Sequence, residues 1–155
     1  MITSGRKILE INNLTSCKID GDYFNKVAKL IFRQHGVNLK NKISVAIVDD
    51  KQMKFLNRQY LKRGDATDVL SFLYENDLNN SVINIEQFFG EIIICRDQAI
   101  LQAKQRKISL KNELTLLLAH GILHLLGYND ESENDRRKMD AQQRKMLNFL
   151  KIYKF

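Results

Sequence analysis

The spacing of hydrophobic positions predicts that strands and helices alternate along the first half of the chain. The apolar residues of 8–14 and the strict alternation in 43–47 are typical of strands, and a third apolar run spans 68–73. Between them, residues 20–35 and 50–60 carry apolar side chains at helical spacing, and each segment begins with an aspartate that can cap a helix. This alternation favours parallel neighbouring strands joined by helices.

The second half of the chain is predicted to be mostly helical. Residues 91–95 form a continuous apolar run that is typical of a strand buried on both faces. Helices are expected over 97–107, 110–126 and 132–150, and the middle one is apolar nearly all round, as in a central buried helix. We therefore predict an α+β fold in which helices surround a small mixed four-stranded β-sheet, in a single domain over residues 1–155.

Composition and charge limit the class of protein and indicate a type of partner. Of the 155 residues, 44% are hydrophobic and 28% charged, a balance that is typical of a globular protein. Because no apolar run approaches the roughly 18 residues of a membrane span, we expect a soluble cytoplasmic protein without a membrane partner. The net charge of +7 favours a polyanionic partner such as RNA or the ribosome surface, although a general compositional bias would also explain it.

Two histidines on the predicted central helix are the strongest candidates for chemistry. His120 and His124 are four residues apart, so they lie one turn apart on the same helix face, in apolar surroundings. Two imidazoles at that spacing can bind one metal ion, but each can also be a core histidine satisfied by hydrogen bonds. Asp130, which follows beyond Gly127, can complete a three-ligand site or can cap the last helix.

The histidines also stand in a longer pattern. Residues 120–128, His-Gly-Ile-Leu-His-Leu-Leu-Gly-Tyr, resemble the signature of the YbeY family of bacterial metal-dependent endoribonucleases and rRNA maturation factors. A second block, Leu-Asn-x-x-Tyr at 56–60 followed by Thr-Asp-Val-Leu-Ser-Phe at 67–72, resembles the family's other signature, and 90–92 resembles its Gly-Asp-Ile strand. The blocks occur in the family's order and separation.

The resemblance implies a reaction, a cofactor and partners. It implies one endoribonuclease-like hydrolase domain that cleaves single-stranded RNA, acts in 16S rRNA 3′-end maturation and ribosome quality control, and meets the ribosome or a small-subunit precursor. It implies a metal ion, zinc or another divalent transition metal such as nickel, held by His120 and His124, with its bound water as the catalytic group. The family usually has histidine as third ligand, and this chain has Asp130 there, whose negative charge makes the metal a weaker Lewis acid.

Positions near the second block supply candidates for RNA binding. The family usually has arginine directly after the tyrosine of that block, and this chain has Leu61. Lys62 and Arg63 beside it are candidate phosphate-binding cations, or else solvated loop charges. Asp68 and Ser71 are candidates to line the same cleft, with fixing of the loop and packing as their alternative roles.

The sequence positions of four further side chains predict their roles. Glu113, two turns before His120, is expected to be an exposed residue that stabilises the helix N-terminus, with orientation of a ligand as the alternative. Phe55, Tyr60 and Phe72 are expected to pack in the core, with base stacking as the alternative.

Two other functions compete with RNA cleavage. The first is a ribosome-assembly or RNA-binding factor with a structural metal and weak or no nuclease activity, which Asp130 and Leu61 favour. The second is a hydrolase of peptides or small molecules. The positive charge counts against it, and so does Gly121, which occupies the place of the glutamate base in His-Glu-x-x-His proteases.

Overall fold

A computed structural model describes residues 5–61, 67–74 and 87–150 of the chain. The elements in these ranges are, in order, β1 Leu9–Asn13, α1 Gly21–Gln34, β2 Asn41–Val48, α2 Asp50–Leu61, β3 Val69–Leu73, β4 Gln87–Cys95, α3 Arg96–Arg106, α4 Leu110–Leu125 and α5 Glu133–Leu150. Every helix and strand predicted from the spacing is found. The largest difference is at β4, which begins four residues earlier than the apolar run alone predicted.

The four strands form one mixed sheet in the order β1-β2-β4-β3. The β1–β2 and β2–β4 pairs are parallel, as the alternation of strands and helices predicted, and β3 pairs antiparallel to β4 at one edge. The α+β fold with a small mixed four-stranded sheet is therefore confirmed. In this register Ser71 of β3 stands opposite Ile92 of β4.

Strand β4 is buried on both faces, as its uninterrupted apolar run predicted. Ile92 and Ile94 belong to the main core, which α1, α4 and α5 complete. Ile93 and Cys95 point the other way and pack with Met53 of α2 in a smaller cluster. The sheet is thus covered on both faces, and its main core lies on the side of α4.

Helix α4 is the central helix that the sequence predicted. The Ser109 hydroxyl accepts a hydrogen bond from the Asn112 amide at 3.1 Å and caps its first turn. Residues 113–119 are all buried, and the helix contacts α1, α3, α5, β3 and β4. Gly127, with a φ of +101°, lies in the turn that follows, a conformation that favours glycine.

Gly121 allows α4 to lie directly against the sheet. A Cβ atom at this position would lie 2.9 Å from Ile92 Cγ2 and 3.2 Å from Ser71 Oγ. The Ser71 hydroxyl donates a hydrogen bond to the Gly121 carbonyl at 3.2 Å, which ties the edge strand to the helix. Because no side chain separates helix from sheet here, the positions of the residues beside Gly121 are set by this contact.

None of the helices within the described ranges combines the length and the apolar character that a membrane crossing requires.

The substitution Gly121→Ala is expected to lower the free energy of unfolding by about 1–3 kcal/mol, because the added methyl overpacks the interface between helix and sheet. Thermal and urea denaturation measure the change. Gly21→Ala is the matched control, because a Cβ there meets only Ile11 Cδ1 at 3.9 Å, and we expect it to be neutral or stabilising. Equal unfolding midpoints for the two variants would show that α4 does not need its close approach.

Candidate metal centre

The two histidines and the aspartate singled out in the sequence lie together in the structure. Potential ligand atoms of His120, His124 and Asp130 all lie within 4.8 Å of one another. The two imidazoles are half-buried and the carboxylate is exposed, so the cluster opens to solvent on one side. His120 and His124 project from consecutive turns of α4, and the turn after the helix carries Asp130 to them.

The positions of the two rings fit the requirements of a divalent metal. His120 Nε2 and His124 Nε2 face each other at 3.0 Å. Two nitrogen ligands bound to a tetrahedral zinc ion at 2.0–2.1 Å are about 3.3 Å apart, so a small adjustment brings both within bonding distance. Imidazole and carboxylate donors suit zinc and neighbouring transition metals, and their softness alone does not select among them.

Gln143 of α5 orients the first histidine. Its Oε1 lies 3.2 Å from His120 Nδ1, so a proton on Nδ1 can be donated to the amide oxygen. This tautomer leaves Nε2 unprotonated and directed at His124, as a metal ligand must be. The sequence analysis missed Gln143, because it lies 23 residues away on another helix and nothing in its local pattern marks it.

The environment of His124 favours its neutral form. Burial, followed by the neighbouring His120, lowers the pKa of His124, while Asp130 and a hydrogen bond with the Tyr128 backbone act in the opposite direction. A lowered pKa keeps the imidazole unprotonated near neutral pH, and only the unprotonated ring can bind a metal.

Helix capping by other residues leaves the carboxylate of Asp130 available. The Ser132 hydroxyl accepts a hydrogen bond from the Asp135 amide at 3.0 Å and caps α5, and the Asn129 side chain accepts from the Glu131 amide at 3.1 Å. The alternative that Asp130 caps the helix is therefore not the arrangement found.

The third histidine, His35, contacts Tyr128 in the turn that leads to Asp130. The His35 Nδ1 lies 3.0 Å from the Ile31 carbonyl, and the Tyr128 hydroxyl lies 3.3 Å from His35 Nε2. Their rings make an edge-to-face contact at 5.6 Å. A surface cleft of about 700 Å³ borders this pair and includes Asn129, the residue before Asp130.

The remaining candidate RNA-binding residues have different surroundings. Ser71 lies against α4 through its bond to Gly121, next in sequence to His120. Asp68 accepts a hydrogen bond from Gln102 Nε2 of α3 at 3.2 Å, and its carbonyl accepts from the Cys95 amide. Lys62 and Arg63 lie outside the described residues.

The expected exposure of Glu113 is wrong. Glu113 is fully buried, and its Oε2 lies 3.5 Å from Arg106 Nη1 of α3. Its other oxygen has no hydrogen-bond partner among the described residues. Burial raises the pKa of Glu113, and Asp68 adds to this, while Arg106 lowers it.

The expected core packing of two aromatic residues is also wrong. Phe55 and Tyr60 are 66% and 58% exposed, so neither is part of the core. Tyr60 and the half-buried Phe72 make a tilted ring contact at 5.2 Å. These exposed rings lie on the side of the sheet opposite the main core.

Comparisons with known proteins identify a family. The family model described as Endoribonuclease YbeY matches residues 10–151. Curated relatives of that name include proteins from Macrococcus caseolyticus, 31% identical over 86% of this chain and 89% of the relative, and Staphylococcus saprophyticus, 35% identical over 82% and 86%. The Thermodesulfovibrio yellowstonii relative is 45% identical over 70% of this chain and 67% of its own length.

A solved structure supports the fold alone. The solution structure of a Thermotoga maritima protein superposes with a TM-score of 0.54, covers 92% of each chain and is 21% identical.

Loss of the Gln143 contact is expected to weaken metal binding. Gln143→Leu removes the acceptor that holds His120 Nδ1, and we expect roughly a 10–100-fold lower metal affinity, measured by competition with a chelator. Gln142→Leu, one residue earlier on α5, is the matched control and keeps the contact. A Gln143→Leu protein that binds metal as tightly as this control would contradict the orienting role.

The buried carboxyl group is expected to make stability depend on pH. Since the pKa of Glu113 is raised in the folded state, its contribution to stability is complete below the ordinary glutamate pKa and is lost as pH rises through the raised value. Glu113→Gln is therefore expected to unfold at a higher temperature than the wild type at about pH 8, with a difference that shrinks towards about pH 4.

Glu133→Gln is the control for this measurement, because Glu133 is 78% exposed and pairs with Arg137 on the same helix. A pH-independent difference between Glu113→Gln and the wild type would contradict the assignment.

Proposed function

Since the chain belongs to the YbeY family of endoribonucleases, we propose that it cleaves single-stranded RNA with a bound metal ion, in 16S rRNA 3′-end maturation and ribosome quality control. The observation that carries this proposal is the convergence of His120, His124 and Asp130 at an opening to solvent. The net charge of +7 supports a polyanionic substrate, since it attracts RNA at long range.

The proposed metal ligands are His120 Nε2, His124 Nε2 and the Asp130 carboxylate. The proposed ion is zinc, with nickel or another divalent transition metal as the alternative, and when bound it polarises a phosphoryl oxygen and activates water. Three protein ligands leave a coordination position for substrate or water, as catalytic sites require.

Residues around the ligands are proposed to hold them in the reactive state. Gln143 keeps His120 in the tautomer whose Nε2 is unprotonated. Burial keeps His124 neutral. Gly121 and Ser71 fix the height of α4 above the sheet, and with it the positions of both imidazoles.

Substrate binding is proposed to use residues of the second block. Lys62 and Arg63 are proposed to neutralise charge that develops on the scissile phosphate. Asp68 and Ser71 are proposed to line the RNA path beside α4. The proposed partners are rRNA and the ribosome or a small-subunit precursor, in the cytoplasm, and one domain over residues 1–155 is proposed to contain all of these functions.

A second candidate function is favoured by the third ligand. A carboxylate at Asp130 lowers the Lewis acidity of a bound metal relative to a third histidine. Leu61 also lacks the positive charge that the family usually has at that position. Both features favour an RNA-binding assembly factor in which the metal is structural, and that function predicts RNA binding without cleavage.

Metal content and RNA cleavage together test the proposal. We expect the purified wild type to carry about one divalent ion per chain, as measured by elemental mass spectrometry, and to cleave single-stranded RNA in preference to duplex RNA. His124→Ala and Asp130→Ala are expected to lose both the ion and cleavage. Glu131→Ala, which removes the same charge one residue later, is expected to keep both.

Three outcomes would contradict the proposal at different points. A metal-free wild type would overturn the metal-dependent mechanism. Retention of the ion by Asp130→Ala would show that Asp130 is not the third ligand. A metal-loaded wild type that binds RNA and does not cleave it would establish the assembly-factor function instead.

A further inference from the structure

A second cleft borders the candidate metal centre on the side of α3 and α5. It has a volume of about 220 Å³ and is lined by Arg106 of α3 and by Asp140, Gln143 and Arg144 of α5. Gln143 therefore belongs both to this cleft and to the metal centre, where its oxygen contacts His120. The cleft is separate from the larger one beside His35 and Tyr128.

The amide of Gln143 has donors that its contact with His120 does not use. Because its oxygen accepts from His120 Nδ1, its two N–H groups remain available to other acceptors. A ligand that accepts hydrogen bonds in the cleft is thus connected, through one side chain, to a proposed metal ligand.

Arg106 is anchored at the cleft by a buried acid. Its Nη1 lies 3.5 Å from Oε2 of Glu113, which is fully buried, while Arg106 itself is 45% exposed. The contact uses one of the five guanidinium N–H donors, so the remaining donors can bind a ligand. Glu113 lies seven residues before His120 on α4, which places the two about 10 Å apart along the helix axis.

Arg144 brings a second guanidinium to the same cleft. It is exposed on α5 and follows Asp140 by four residues, so the two lie on the same helix face. Asp140 is the acidic group in the lining, and its carboxylate opposes anion binding. Two guanidinium groups and one amide still leave an excess of donors, and their forked geometry matches phosphate oxygens.

Three other basic side chains of α5 have different positions. Arg137 pairs with Glu133 at 2.9 Å. Lys138 lines the cleft beside Tyr128. Lys145, which follows Arg144, is equally exposed but is absent from the lining of the cleft.

We propose that the cleft between Arg106 and Arg144 is a subsite for a backbone phosphate of the RNA, next to the phosphate that is cleaved. Arg106 and Arg144 bind its oxygens, and Gln143 donates to it while holding His120. The subsite rests on the proposed RNA cleavage, and it positions the substrate without taking part in bond breaking. It recognises the phosphate of any nucleotide, so it contributes affinity and register, and no base preference.

The test compares charge removals at adjacent positions. Arg144→Ala is expected to weaken binding of a single-stranded RNA oligonucleotide about tenfold at moderate salt, the loss of one charge-assisted contact. Lys145→Ala removes the same charge from the next residue and is expected to change binding less than twofold. Arg106→Ala and Lys104→Ala form the same comparison on α3.

Salt dependence and kinetics separate the subsite from a general charge effect. For Arg144→Ala, the slope of log affinity against log salt is expected to fall by about 0.7, the value for one phosphate contact on a single strand. We expect KM to rise with little change in kcat, and Arg144→Lys to restore part of the affinity. Equal binding and equal slopes for Arg144→Ala and Lys145→Ala would overturn the proposal.

Metal content is measured on every variant. Arg144→Ala is expected to keep the wild-type metal content, and a loss of metal would show that Arg144 acts on His120 through Gln143, which also overturns the phosphate subsite. A wild type that carries metal and does not cleave RNA would contradict the proposed function itself. If the wild type cleaves RNA while Arg144→Ala and Lys145→Ala bind RNA with equal affinity, the subsite alone is contradicted.

Discussion

The contact between α4 and the sheet at Gly121 is the constraint on which the candidate site depends. Ile92 and Ser71 come so close to the helix that there is no room for a Cβ atom, and the Ser71 hydroxyl fastens the helix backbone. This contact sets the height of the helix, and His120 is the next residue along it. The glycine in the His-Gly-x-x-His sequence therefore has a packing role, which is distinct from the role of the glutamate at the same place in zinc proteases.

Metal binding at this site requires more than two histidines on one helix face. The rings must be unprotonated and correctly turned, and a third ligand must be free to reach them. Gln143 turns the first ring, burial keeps the second ring neutral, and Ser132 caps α5 so that Asp130 does not have to. Each of these contributions comes from a different part of the chain, and the packing of α5 against α4 brings them together.

The buried acid Glu113 links the stability of the fold to the proposed phosphate subsite. A carboxylate in the core is costly unless it is paired, and the only charged partner among the described contacts of Glu113 is the half-exposed Arg106. The same guanidinium lines the cleft beside Gln143. Arg106 thus partly offsets the free-energy cost of burying Glu113. Its guanidinium also lies where the proposed subsite would bind a phosphate.

The sequence alone determined the fold class, the helices and strands, the central helix and the family, because periodicity, caps and signature spacing are properties of neighbouring residues. It also placed His120, His124 and Asp130 within reach of one another, since a helical turn and a short return through Gly127 span small distances. Only the tertiary structure decided that Gln143 holds His120, that Glu113 is buried, that Phe55 and Tyr60 are exposed, and that Arg144 rather than Lys145 lines the second cleft. These outcomes depend on which helix faces pack against each other. The sequence separation of residues on different helices does not reveal which faces those are.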